Sequence, residues 1–280
     1  MDLRGIDHTM IVVRDLDAAR AAYERLGFHC TEQGRHGGLG TGNHLIILDQ
    51  DYIELLGVLE PTERSAQFAQ WAAAREGLYM IALATDNAAA VHDRLAAAGL
   101  PMQDLFSFKR PVETPAGGGD ASFTLARTEP GVTPHAGLFF CQHHTPELVW
   151  VKEWQNHPNG ARGITELVIT APDPAALQGA YERVFGASSF KVAGDTATVT
   201  TGGAPLALMT PAALRERYGA LADDAPDAGP PCAAAVLKVA DVGATAKVLD
   251  GNGVTHVAGA NGAVVVPAAQ ANGLIIEFTA

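Results

Sequence analysis

The sequence predicts an α+β protein built from four copies of a βαβββ module. Three observations carry that prediction. One phrase recurs four times: an apolar strand, an acidic helix start, an alanine-rich helix and a closing glycine. The copies fall in order at roughly regular spacing, which marks an internal repeat rather than chance similarity. Short apolar stretches of strand length, broken by turn residues, follow the helices.

The first copy reads GIDHTMIVVRDLDAARAAYERLGF from Gly5. Asp15 or Asp17 can cap the exposed amides at the helix start, and Gly27 closes the helix. Ala18, Ala19, Ala22, Tyr23 and Leu26 fall at helical spacing and form its buried stripe. Strands are expected over residues 28–32, 42–48 and 52–58. The second copy, GLYMIALATDNAAAVHDRLAAAGL from Gly77, is followed by expected strands over 105–112, 121–126 and 137–142. The third, GITELVITAPDPAALQGAYERVFG from Gly163, repeats the Ala-Tyr-Glu-Arg of the first. The fourth, AAAVLKVADVGATAKVLDGNGV, starts at Ala233 and is completed by GLIIEFTA. Helices are therefore predicted over residues 18–26, 88–98, 175–185 and 242–251.

Two stretches interrupt the pattern. Residues 149–162, with Trp150, Trp154 and Pro158, read as a connector between two domains, 1–150 and 163–280. Residues 211–231 begin helix-like and end in an acidic, proline-rich loop that reads as a solvated linker.

Composition narrows the partners. Nineteen Lys and Arg against 31 Asp and Glu give a net charge of −12, which repels phosphate backbones, so nucleic acid is not expected. The longest apolar runs are too short for a bilayer, and the N-terminus lacks a signal-peptide pattern. Three cysteines without metal-knuckle spacing read as reduced thiols of a cytoplasmic protein. Gly34 to Asn43 is glycine-rich but lacks the Gly-Lys-Ser/Thr of a phosphate loop, and no serine sits in a nucleophile elbow.

Used in pairs, and with the words GIDHTMIVVRDLDAA, GTGNHLIILDQDYIELLG and FFCQHHTPEL, the module resembles the vicinal-oxygen-chelate superfamily, which includes glyoxalases, extradiol dioxygenases and bleomycin-resistance proteins. Within it the N-terminal half resembles the glyoxalase-like-domain group. That resemblance implies two half-open mixed β-barrels with helices outside. It also implies a divalent metal on a concave face, held by first-strand and last-strand residues. Carried over position by position, it assigns His8, Glu54 and Gln142 as ligands, with Glu54 also able to act as the catalytic base. Tyr79 falls where a histidine is expected, and Gln142 where a glutamate is. Tyr79, Asn43 and His143 would contact substrate, and His143 or His144 would turn inward if the register slips by one residue. In the C-terminal half, Glu166, Ala234 and Glu277 occupy the matching positions and residues 206–209 offer no donor, which implies a degenerate copy.

Each residue also has a plainer reading. His8 can be a hydrogen-bonded strand residue, Glu54 an outward-facing charge, and Gln142 a partner for backbone at a strand end. Two functions stay open at this level. One is a metal-dependent enzyme acting on a small oxygenated molecule by isomerisation, lyase chemistry, hydrolysis or dioxygenation. The other is a non-catalytic protein that sequesters a small molecule between domains or between the protomers of a homodimer.

Overall fold

The computed structural model describes residues 4–224 and 232–280. Part of the acidic loop expected before the fourth module (225–231) lies outside them.

Each half of the chain makes one eight-stranded mixed sheet. The first module contributes β1 (Ile6–Val12), α1 (Leu16–Arg25), β2 (Gly34–His36), β3 (Thr41–Ile47) and β4 (Tyr52–Val58). Helix α2 (Ala66–Ala74) leads to the second: β5 (Gly77–Ala84), α3 (Ala88–Ala97), β6 (Phe106–Thr114), β7 (Gly117–Arg127) and β8 (Gly137–His143). The strand order β2-β3-β4-β1-β5-β8-β7-β6 joins the two modules through their first strands. These run antiparallel, while each lies parallel to the last strand of its own module.

The second half repeats this frame. It comprises β9 (Ala161–Thr170), α4 (Gln178–Phe185), β10 (Phe190–Ala193), β11 (Thr196–Val199) and β12 (Leu206–Met209). After α5 (Pro211–Tyr218) come β13 (Cys232–Val239), α6 (Val242–Gly251), β14 (Val257–Ala258), β15 (Val264–Val266) and β16 (Ile275–Thr279). Their order, β10-β11-β12-β9-β13-β16-β15-β14, matches that of the first sheet. The fold is thus α+β with paired half-open barrels.

The four module helices begin at like positions. Asp15, Asn87 and Asp241 accept the backbone N–H three residues on, as side-chain caps do. In the third module Asp173 accepts from Ala176 N–H, and the predicted helix opens as a 3-10 turn, Ala175–Leu177, before α4. The helices cover one face of each sheet, and the two helix layers share a single apolar core. The repeated tyrosines tie the halves together. Tyr23 of α1 donates to Ala271 O (3.3 Å), and Tyr181 of α4 donates to Pro134 O (2.8 Å). Gly27 ends α1 at φ +84°, where a Cβ would meet Val248 of α6 at 2.7 Å, so only glycine fits both the turn and the approach.

Two elements differ from expectation. Residues 28–32 are irregular, not a strand, because they run into the shared core. Phe28 lies 5.9 Å from Phe278 there, and Thr31 is tied by backbone and hydroxyl to Leu45. The second strand is only the short β2. Helix α2 was not anticipated. No described helix is long and apolar enough to cross a membrane.

Polar ties also cross between the halves. His157 accepts His29 N–H on Nδ1 and donates from Nε2 to Ile47 O (2.8 Å), which fixes its tautomer. Buried Asp51, in the β3–β4 turn, accepts Ile164 N–H from β9 at 3.1 Å. Burial, only partly offset by that N–H, pushes the Asp51 carboxyl up to about 7. The unfolded chain therefore loses this proton at about pH 4, whereas the folded chain keeps it to about pH 7. Stability falls as pH rises through that window, and the whole cost is present above it. Asp51→Asn keeps an acceptor without the charge. Its unfolding midpoint in urea should gain on the unsubstituted protein between pH 4 and pH 8, and a constant difference would count against the assignment.

Candidate functional site

Alternation along the strands aims His8 and Met10 of β1, Asn43 of β3, and Tyr52 and Glu54 of β4 away from the helices, into the concave side of the first sheet. Asp7 joins them through a bulge. The β1–β5 register jumps from Ile6↔Leu83 to His8↔Ala82, so Asp7 is an extra residue without a partner. Its Oδ1 lies 2.5 Å from His8 Nδ1 and 2.9 Å from His143 Nε2. Burial alone would raise the Asp7 pKa, but the hydrogen bonds from His143 and His8 outweigh it and hold the carboxyl at about 2. An ionised carboxylate only accepts, so both imidazole nitrogens carry protons. In the neutral ring that leaves a lone pair on His8 Nε2. Glu54 Oε2 is 3.9 Å from that nitrogen. The His8 ring is stacked on Tyr52 (centroids 4.3 Å apart) and touched edge-on by Phe139.

Glu54 is 5% exposed. Its Oε1 accepts from Asn43 Nδ2 at 2.6 Å, and His36 Nε2 stands 3.8 Å from the same oxygen. Burial lowers the His36 pKa, against the pull of Glu54. Asn43 Oδ1 is buried without a partner. These groups sit in the wall of a cavity of about 1220 Å³ whose apolar side includes Phe68, Phe106, Phe108 and Phe123.

The donors suit a metal ion. Ligand atoms of Asp7, His8, Cys141 and His143 lie within 4.8 Å of one another and could hold one. His8, Glu54 and Cys141 line the cavity, whereas Asp7 and His143 do not. His8 and Cys141 are therefore the members of that group on the cavity side, the Asp7–His143 pair lies behind them, and Glu54, outside the group, stands next to His8. A buried carboxylate with one hydrogen-bond donor, next to an imidazole lone pair, is chemically fitted to a cation.

Sequence-based assignments meet this geometry unevenly. His8, Glu54 and Asn43 come together. Gln142 does not: it lies on the opposite side of β8 from Cys141 and His143, and its Oε1 accepts Ala88 N–H at the start of α3 (3.0 Å). His143 faces the concave side as the one-residue slip would have it, but it bonds Asp7 among Tyr52, Phe123 and Trp150 instead of reaching the cavity. Tyr79 lines the cavity, packed on Phe68 and Trp71, with its hydroxyl on Gln67. It is not the counterpart of His8. Measured from the helix caps, that counterpart is Met80, and the strand register then matches Glu54 with Phe139. The second module supplies no donor at either position. Asp7, His36 and Cys141 were not assigned from sequence, and a bulge leaves no signal in an apolar pattern.

In the second sheet, the same counting puts Glu166 and Ala234 at the His8 position, and Ala207 and Glu277 at the Glu54 position. Arg217 of α5 donates to both carboxylates, at 2.6 Å to Glu166 and 2.9 Å to Glu277, and Tyr218 donates to Glu277 at 2.8 Å. Leu214 and Tyr218 fill the apolar face around them.

Gln142 satisfies a helix-end amide, so Gln142→Leu should cost about 1 kcal/mol of stability in urea unfolding. Its divalent-metal affinity should match the unsubstituted protein, and a loss of affinity would restore Gln142 to the site.

A glyoxalase-like domain family model matches residues 6–185. None of the curated proteins compared with the chain matches it. Solved structures share the fold along nearly the whole chain. A hypothetical protein from Staphylococcus aureus has TM-score 0.69 at 15% identity, covering 98% of each chain. A mutant of 4-hydroxymandelate synthase from Streptomyces coelicolor has TM-score 0.60 at 14% identity, covering 99% of this chain and 92% of that one. A fusion of a xylose isomerase-like TIM barrel with 4-hydroxyphenylpyruvate dioxygenase has TM-score 0.60 at 15% identity, covering 99% and 48%. The family model spans well over half of the sequence, and the chain belongs to the glyoxalase-like domain family.

Proposed function

We propose that this protein is a metal-dependent enzyme of the glyoxalase-like type. Its substrate would be a small organic molecule bound through two adjacent oxygens in the first-sheet cavity. The observation that carries the reading is the buried Glu54 carboxylate, hydrogen-bonded by Asn43 and standing 3.9 Å from His8 Nε2. His8 and Glu54 would hold a divalent ion, which supplies Lewis acidity to substrate oxygens. Asp7, backed by His143, keeps His8 in the tautomer that presents Nε2 to the cavity. Asn43 orients Glu54, whose free oxygen either binds the ion or takes a proton from substrate. The phenylalanine wall makes one side of the cavity apolar, which strengthens electrostatic interactions beside it. The size and apolar side of the cavity also favour a second reading, sequestration of an apolar small molecule without chemistry.

Metal analysis of protein purified without chelator separates the two. The enzyme reading expects about one divalent ion per chain. Glu54→Ala should remove it. Asp7→Asn, which weakens the orienting bond without removing a ligand from the cavity, should weaken affinity about 10- to 100-fold. Glu277→Ala should leave metal content unchanged. A stoichiometric ion that survives Glu54→Ala overturns the assignment, and metal-free protein that binds apolar ligands supports sequestration.

A further inference from the structure

The first-sheet cavity holds a cation that neither the metal site nor the fold uses. Arg110 lies on β6, on the same face as Phe106, Phe108 and Val112 by strand alternation, and lines the cavity. It is 6% exposed. Among the described residues no ion pair or hydrogen bond engages its guanidinium, whereas the other buried ionised groups of this sheet, Asp7 and Glu54, each have a partner. An arginine cannot shed its charge in response, so the whole cost of burial stands unless something pairs with it.

Its placement is built rather than incidental. The β2 and β6 edges approach each other across the barrel opening. At that seam a Cβ on Gly34 would stand 3.1 Å from Arg110 Nη1 and 2.4 Å from Asn43 Oδ1, so glycine leaves room for both groups. Arg110 is thus on the same cavity wall as the Asn43–Glu54 pair, yet beyond ion-pair reach of Glu54. Two further guanidiniums, Arg127 and Arg64, lie over the Phe106 ring at 5.2 and 5.9 Å, and Arg127 Nε is buried without a partner. A chain of net charge −12 therefore gathers arginines along one wall of its cavity.

We propose that Arg110 binds a carboxylate of the substrate, whose aromatic or apolar body lies against Phe106, Phe108 and Phe123. A planar guanidinium fork pairs with a carboxylate through two parallel bonds. One such fork among phenylalanines suits a single negative charge on an apolar body better than a phosphate dianion. The charge balance agrees: a divalent ion on Glu54 together with Arg110 leaves net positive charge in the cavity wall, and an anionic ligand offsets part of it. The inference relies on the proposed metal site only for where the substrate's other oxygens go.

The test uses full-length protein freed of metal with EDTA and dialysed, so that its result is independent of the metal reading. Phenylacetate and its neutral analogue phenylacetamide are the probes, titrated by calorimetry or ligand-observed NMR. Phenylacetate should bind about tenfold or more tightly than phenylacetamide. Arg110→Gln should abolish that preference, Arg110→Lys should keep part of it, and Lys109→Gln, on the exposed face of the same strand, should keep all of it. If Arg110→Gln fails to fold, the Lys variant and the probe pair on the unsubstituted protein still decide. Equal binding of the two probes, or a preference that survives Arg110→Gln, overturns the proposal. A preference present only with metal would also overturn it, while leaving the metal site intact.

Discussion

The antiparallel pairing of β1 with β5 sets the position of every functional side chain in the first sheet. Each strand has its own module's last strand on its other side, so the pair forms the centre of the sheet and the remaining strands extend outward. The pairing is broken twice, at Asp7 and at Tyr79, each an extra residue on its strand. Bulges increase local twist and bend a strand, consistent with a sheet that curls until β2 and β6 approach. They also turn an additional side chain onto the concave face. One of these, Asp7, fixes the tautomer of His8. The bulge at Asp7 thus contributes both to the curvature that makes the cavity and to the carboxylate that orients its histidine.

The second sheet has the same frame with different contents. Its register jumps at the matching place, between Cys232 and Ala234. Carboxylates stand at the first-strand position of the third module and the last-strand position of the fourth, and the cation they face is part of the chain. Arg217 reaches both, and α5 fills the face around them with Leu214 and Tyr218. The carboxylates at these positions of the second sheet are therefore paired within the chain.

The repeat and its helices were legible because alanine stripes, aspartate caps and closing glycines are local signals. That Glu54 and His8 share the concave face was legible because they stand at fixed distances from those signals. Asp7 was not, since a bulge depends on the pairing partner. Tyr79 was placed one residue short of Met80, because the second module's helix is capped at Asn87, and on a strand one residue changes the face. The role of Tyr23 and Tyr181 was half legible. The repeated Ala-Tyr-Glu-Arg identified equivalent helices, but the hydroxyl of each reaches backbone in the other half of the chain, and no sequence separation predicts that.

The two concave faces differ in how they pair charge. In the second, two carboxylates and one guanidinium meet within hydrogen-bonding distance, and α5 packs over them. In the first, Glu54 and Arg110 share a cavity wall without meeting, and Asn43 between them keeps a bare carbonyl. Leaving buried polar groups unsatisfied costs about 1–3 kcal/mol each, and more for charges. The chain evidently can bring a cation to carboxylates at this position of the fold, because it does so with Arg217. Kept apart, Glu54 and Arg110 forgo the pairing that Glu166 and Glu277 make with Arg217. A ligand that supplies a cation to the carboxylate and an anion to the guanidinium would restore both, which is why the proposed metal and the proposed substrate carboxylate belong to one site.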